Sequence, residues 1–192
     1  MNLPNKITLT RICLIPVMLL FYYLTVIPGN RLIAAAVFVL AACTDFLDGH
    51  LARKNNQVTN MGKFLDPIAD KVLVLVALFM LVESGIIPSP YGVLAGSVII
   101  AREIAISGFR QIAAANNLII AADKSGKIKT VFQDVAIVVL LAALGLADMV
   151  PAEVTDVLTW CGWGLLAVAV ALTIYSGIHY VVKNYGVLKD SQ

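Results

Sequence analysis

The sequence predicts an all-α integral membrane protein with six transmembrane helices. Composition is the first reason: 60% of the 192 residues are hydrophobic and only 14% are charged. Soluble domains carry roughly 45–50% apolar and about 25% charged residues. The second reason is that the apolar residues gather into six runs, each near the roughly 20 residues that cross a bilayer. The third is the turn chemistry between runs: Pro28-Gly29-Asn30, Pro88-Ser89-Pro90 and Val150-Pro151.

The predicted spans are Ile7–Ile27, Arg31–Asp48, Asp66–Ser84, Tyr91–Ala114, Lys129–Val150 and Val154–Val182. A chain of this length is one domain, residues 1–192. Residues 1–11 are less apolar than a span and contain Pro4 and two threonines. They suit a short N-terminal interfacial helix. There, Asn5 and Thr8 either cap the helix or hydrogen-bond a ligand. The run from Cys13 to Ile27 has no small-x-small cleavage site after it, so it reads as a retained span and not a signal peptide.

The net charge of +2 and the lack of any long Lys/Arg run exclude a nucleic-acid partner. Cys13, Cys43 and Cys161 are far apart inside apolar runs, which predicts small buried hydrophobes without disulfides. The basic residues divide unevenly. Arg53, Lys54 and Lys63 fall between spans two and three, and Lys124 and Lys127 between four and five. Both chain ends are also basic, whereas the other side has only Arg31. The positive-inside rule then puts both termini and these connections in the cytoplasm.

The stretch from Asp45 to Asp70 holds four of the chain's twelve acids. Asp45 and Asp48 close the second span, and Asp66 and Asp70 open the third. Residues three or four apart lie about one helical turn apart, so each pair shares a face. Alone, any one of these acids would read as a helix cap or a solvated charge. Together they bring four carboxylates to one point at a membrane boundary, which is repulsive unless cations are bound. Oxygen-only ligands suit two divalent cations such as Mg²⁺ or Mn²⁺ and disfavour zinc. A two-metal carboxylate site commonly serves displacement at phosphorus.

The pattern Asp45-x2-Asp48-Gly49-x2-Ala52-Arg53-x8-Gly62-x3-Asp66-x3-Asp70 resembles, without a departure, the signature of the CDP-alcohol phosphotransferase family. Three further segments resemble its bacterial phosphatidylglycerophosphate synthase members. They are Asn2 to Arg11, Arg102 to Arg110 and Gly126 to Gln133. The resemblance implies a homodimeric enzyme of phospholipid synthesis in the cytoplasmic membrane, with a cytoplasm-facing active site. It implies that Asp45, Asp48, Asp66 and Asp70 bind two divalent metals that hold the pyrophosphate of CDP-diacylglycerol. It makes Asp70 the candidate general base and gives CMP as the leaving group. Gly49 lets backbone approach the nucleotide, Arg53 offers a planar fork to phosphate, and Thr44 is a further member of that pocket.

The fourth span contains Arg102, Glu103, Ser107 and Arg110. Charges in hydrocarbon are costly and mark function by default, a structural Arg–Glu pair being the competing explanation. At about 100° per residue, Glu103, Ser107 and Arg110 form one stripe, with Arg102 roughly 80° from Arg110. Lys127 and Lys129 open the fifth span, where they oppose the helix dipole. An anionic ligand would offset that cost. Arg102, Arg110, Lys127 and Lys129 therefore predict a pocket for a phosphorylated acceptor, which the flanking resemblance makes glycerol 3-phosphate. Inositol phosphate, serine or phosphatidylglycerol are other acceptors for the same chemistry. A divalent-cation transporter and an intramembrane prenyltransferase are readings from other classes. The sixth span carries little chemistry: Trp160, Trp163, Tyr175, Tyr180 and Tyr185 read as anchors and packing. Gly162, Gly164 and Gly177 would permit close helix approach, including at a dimer contact.

Overall fold

The six apolar runs become six α-helices, and among the described residues there is no strand. The computed structural model describes residues 3–55, 60–115 and 124–184. Within these, the side chains of 3–8, 45–55, 60–67, 70, 115 and 124 lie outside the described set, as do all atoms of Tyr185. The helices are α1 (Leu3–Tyr23), α2 (Asn30–Asn55), α3 (Asn60–Glu83), α4 (Ser89–Ala115), α5 (Lys124–Leu146) and α6 (Ala152–Lys183).

The helices outrun their apolar segments on the side predicted to be cytoplasmic. α2 continues past Asp48 to Asn55, and α3 begins at Asn60, before Asp66. The long connection expected from Gly49 to Leu65 is therefore mostly helix. Leu51, Ala52, Arg53 and Lys54 are good helix formers, and a helix does not end because it leaves hydrocarbon. Likewise α5 starts at Lys124, so Ser125 and Gly126 are inside it. α1 is one continuous helix from Leu3, so an interfacial segment would be its first turns and not a separate element. Pro4 falls in the first turn, where a missing N–H is harmless. At the opposite end the turns are short, with positive φ at Gly29 (72°) and Gly85 (79°).

α5 lies at the centre, packed on α6, α2 and α3. α1 packs on α2 and α3, and α4 on α3 and α6. Met18, Phe38, Ala41, Leu73, Leu81, Ile137 and Leu140 form the middle of the buried core. The α2–α5 contact depends on Gly145: a Cβ there would lie 2.8 Å from the backbone N and Cα of Leu32. Backbone cannot rotate away as a side chain can. Gly145→Ala is expected to force the two helices apart and cost about 1–3 kcal/mol, the usual range for overpacking. Thermal unfolding in detergent, compared with wild type, measures it.

The outward faces are as apolar as the core. Leu40, Phe79, Leu94, Ile104 and Val157 are 60–64% exposed. Water-facing surfaces rarely carry so much contiguous apolar area, whereas a bilayer requires it. Among the described residues, three helices are long and apolar enough to cross a membrane: Ser89–Ala114, Ser125–Leu146 and Ala152–Lys183. Shorter apolar stretches cover Leu9–Tyr23 and Asn30–Thr44. The protein is an all-α membrane protein. Its cysteines are free, as expected, but Cys13, Cys43 and Cys161 lie on outward faces and not in the helix-packed interior.

The end away from the acids is tied by hydrogen bonds. The Tyr22 hydroxyl donates to Glu83 Oε2 (2.6 Å) and lies 3.1 Å from the Met80 carbonyl, joining α1 to α3. Trp163 Nε1 donates to the Ile86 carbonyl at 2.9 Å, joining α6 to the α3–α4 turn. Trp163 is thus a tether, while Trp160 and Tyr175 face outward like the anchors expected.

Candidate functional site

Asp45 and Asp48 fall in the second half of α2, and Asp66 and Asp70 in the first half of α3. These helices pack against each other and are consecutive in the chain, so both pairs lie toward the same end of one helical hairpin. Both pairs are also inside their helices, not at the ends, because the helices run on. The side chains of all four, and those of Asn5, Thr8, Gly49, Arg53 and His50, lie outside the described set. Around them, Ala69 is buried, and the Thr44 hydroxyl donates back to the Ala41 carbonyl at 2.6 Å. Thr44 therefore has only acceptor capacity left for a ligand. Lys71, next to Asp70, hydrogen-bonds Ser107, tying α3 to α4.

A cationic cavity of about 170 Å³ lies where α4, α5 and α6 meet. Arg102, Ile106 and Arg110 line it from α4, Gly126, Lys127 and Thr130 from α5, and Tyr180 from α6. Residues 102, 106 and 110 recur every four positions, so they occupy one face of α4. Arg110 and Lys127 are exposed, while Tyr180 is buried with its ring edge-on to Phe109. Tyr180 is therefore part of the cavity wall and not an interface anchor.

Arg102 is the best-ordered member. Its side chain is 13% exposed, and its Nη1 donates to Glu103 Oε1 at 3.0 Å. Its Nε is buried with no hydrogen-bond partner among the described residues. A buried guanidinium N–H without an acceptor is expensive, and it lines a cavity that Arg110 and Lys127 make more positive. An oxyanion in this cavity would offset the mutual repulsion of the three cations that line it, Arg102 among them.

Lys129 does not share this cavity. It is 1% exposed, and its Nζ donates to Glu103 Oε1 at 2.7 Å. Lys127 and Lys129 are two residues apart within α5, hence about 200° apart around it. One points to the cavity and the other to a small polar pocket of about 20 Å³ with Lys71, Glu103 and Gln133. Glu103 and Ser107 therefore form a stripe toward α3 and α5, separate from the Arg102–Arg110 face. Two polar groups here, Lys71 and Gln133, were not singled out from the sequence as site residues. Arg11, in α1, ends a segment of family resemblance and is 1% exposed, which its place in a basic flank did not suggest. An apolar groove of about 690 Å³ lies between α4 and α6, lined by residues such as Leu94, Val98 and Val170.

The chain is similar to known proteins over nearly its whole length. The family model of the CDP-alcohol phosphatidyltransferases matches residues 1–175. A Bacillus subtilis (strain 168) protein named CDP-diacylglycerol–glycerol-3-phosphate 3-phosphatidyltransferase is 40% identical, covering 99% of this chain and 98% of its own. Proteins of the same name from Rickettsia bellii (37% identical; 93% of each chain) and Escherichia coli K12 (38%; 94% and 93%) are similar over nearly the same extent. With the match running from the N-terminus through the aspartate hairpin and the cationic cavity into α6, this chain belongs to the CDP-alcohol phosphatidyltransferase family.

Proposed function

We propose that this chain transfers the phosphatidyl group from CDP-diacylglycerol to glycerol 3-phosphate, giving phosphatidylglycerol phosphate and CMP. The observation that carries the reading is the near full-length similarity to relatives named for that reaction. The cationic cavity supports the acceptor: the basic groups of Arg102, Arg110 and Lys127 together suit a phosphate dianion. Serine would leave those charges uncompensated. Inositol phosphate satisfies the same charge, and competition between the two phosphorylated alcohols separates them.

Four carboxylates, with no cysteine in their motif pattern and only His50 and Met61 as other nitrogen or sulfur donors of metal-ligand type, fit hard divalent cations. Asp45, Asp48, Asp66 and Asp70 would hold two of them, Mg²⁺ or Mn²⁺, which supply positive charge for the pyrophosphate and the departing CMP. The protein's own residues do the rest. Gly49 leaves room for the nucleotide, and Arg53 gives a fork of donors to phosphate. Thr44 accepts hydrogen bonds in the same CDP-lipid pocket, with Asn5 and Thr8 at its edge. The acceptor hydroxyl oxygen forms a bond to the lipid-side phosphorus. The bond from that phosphorus to the bridging oxygen breaks, and CMP leaves with the electron pair. The hydroxyl proton passes to Asp70 and then to water. Arg102, Arg110 and Lys127 hold the acceptor phosphate, and Lys129 acts from behind Glu103.

We place both termini and both substrate sites on the cytoplasmic face of the cell membrane, from the charge bias of the connections. The lipid then enters sideways from the leaflet, and glycerol 3-phosphate enters from water. The chain acts as a single domain and as a homodimer. Gly162 and Gly177 are spent inside the chain, against Leu140 and Arg102 respectively, whereas Gly164 has open space beside it and stays available for a dimer contact.

Metal removal tests the aspartate assignment. EDTA is expected to abolish CMP release from CDP-diacylglycerol, Mg²⁺ or Mn²⁺ to restore it, and Zn²⁺ to substitute poorly. Undiminished release in EDTA from metal-free protein would remove the two-metal assignment.

A further inference from the structure

Glu103 is one carboxylate serving two cations on different helices. Its Oε1 accepts from Arg102 Nη1 at 3.0 Å and from Lys129 Nζ at 2.7 Å. α4 packs on α3 and α6, and it reaches α5 chiefly through these long side chains. Neighbouring residues of a helix point about 100° apart and do not normally meet. Here the long arginine stem spans that angle. The stem runs between two glycines. A Cβ on Gly177 of α6 would lie 3.2 Å from Arg102 Cγ, and one on Gly126 of α5 would lie 3.1 Å from Nη2. Arg102 is therefore moulded on both sides and fastened at one nitrogen.

The fastening has a chemical consequence. A guanidinium presents two-nitrogen edges to oxyanions. With Nη1 committed to Glu103, the edge left is Nε–Nη2. Nε is the atom that is buried without a partner among the described residues, and the same side chain lines the cationic cavity. We infer that Glu103 is a positioning residue of the acceptor site. By holding Nη1 it fixes the guanidinium of Arg102 in the wall of the cavity that receives the acceptor phosphate. Through Lys129 it fixes the turn of α5 that carries Lys127. It also supplies the negative charge that lets Arg102 sit beside Arg110 and Lys127 before substrate arrives. This inference rests on the reading of the cavity as the acceptor-phosphate site.

The test separates positioning from mere stability. Glu103→Gln removes the charge but leaves Lys129 buried beside a neutral amide, which by itself threatens folding. The companion variant Glu103→Gln/Lys129→Met removes both buried charges. It is expected to match wild type in thermal unfolding in detergent. Its KM for glycerol 3-phosphate is expected to rise roughly ten-fold or more, as for losing a charge-assisted contact. Its KM for CDP-diacylglycerol should stay within about two-fold, because the lipid site lies on α2 and α3. Glu103→Asp should recover part of the loss. Gly177→Ala, which crowds the arginine stem without changing any charge, should move the same constant in the same direction.

A folded double variant with wild-type KM for glycerol 3-phosphate overturns the inference. Equal rises in both Michaelis constants overturn it too, since they indicate a general structural role. Arg110→Ala serves as the control on the underlying reading. If it raises the acceptor KM while the Glu103 variants do not, the cavity assignment stands and only the role of Glu103 fails. If Arg110→Ala leaves the acceptor KM unchanged, the cavity assignment itself fails.

Discussion

Asp70→Asn is expected to lower turnover by about 10²–10⁴-fold, the usual contribution of a positioned proton acceptor, while CDP-diacylglycerol binding stays measurable. The substitution keeps the shape of the side chain and one oxygen ligand, but it removes the charge and the basic oxygen. A carboxylate close to two cations is an intrinsically weak base, because the cations favour its ionised form. In the proposed mechanism its contribution is therefore positioning of the attacking hydroxyl as much as removal of the proton. Both are lost in the amide. Asp45→Asn, Asp48→Asn and Asp66→Asn should differ from it by weakening metal and CDP-lipid binding together with turnover. Isothermal titration with CDP-diacylglycerol in detergent, beside single-turnover CMP release, distinguishes the two patterns. Turnover near wild type in Asp70→Asn would remove Asp70 as the base.

Lys127→Ala is expected to raise the KM for glycerol 3-phosphate by about ten- to hundred-fold, the cost of a charged hydrogen bond to a ligand phosphate. The KM for CDP-diacylglycerol should change far less. Lys127 is exposed at the mouth of the cavity, on the face of α5 turned away from the Lys129–Glu103 pair. Removing it leaves no buried partner behind, so stability should be close to wild type. Arg110→Ala should behave alike for the same reason. Equal effects on both substrates would argue against a dedicated contact with the acceptor phosphate.

Six helices and their order were legible because the apolar residues gather into six runs, with Pro- or Gly-containing turns in three of the connections between them. The helix ends were not legible on the polar side. Apolar length marks where hydrocarbon stops, whereas a helix stops where its backbone finds other partners. That difference moved Asp48 and Asp66 from helix ends to helix interiors, with α2 continuing to Asn55 and α3 starting at Asn60. It also misplaced Lys129. As the first residue of a helix it would have been free to join Lys127, but with α5 starting at Lys124 the two diverge by about 200°. The four basic residues thus divide into three around a cavity and one buried behind it.

The aspartate motif was legible because it is local in sequence, within two helices of one hairpin. The acceptor cavity is assembled from α4, α5 and α6, and its geometry depends on packing that no single segment encodes. Arg102 and Glu103 stood out as charges in an apolar span. The structural pair is present, through Arg102 Nη1 and Glu103 Oε1, and the same arginine also lines the cationic cavity. Gly126 and Gly177 gave no such signal. Their use, as the two walls around Arg102, appears only once α5 and α6 are in place.

The central claim is the transfer itself. Purified protein with Mn²⁺ and CDP-diacylglycerol is given glycerol 3-phosphate labelled in the glycerol carbons. The account predicts label in the lipid extract in equal moles with CMP released, and no CMP release when the acceptor is omitted. CMP release without incorporation of label, or incorporation only with a different alcohol, would contradict it.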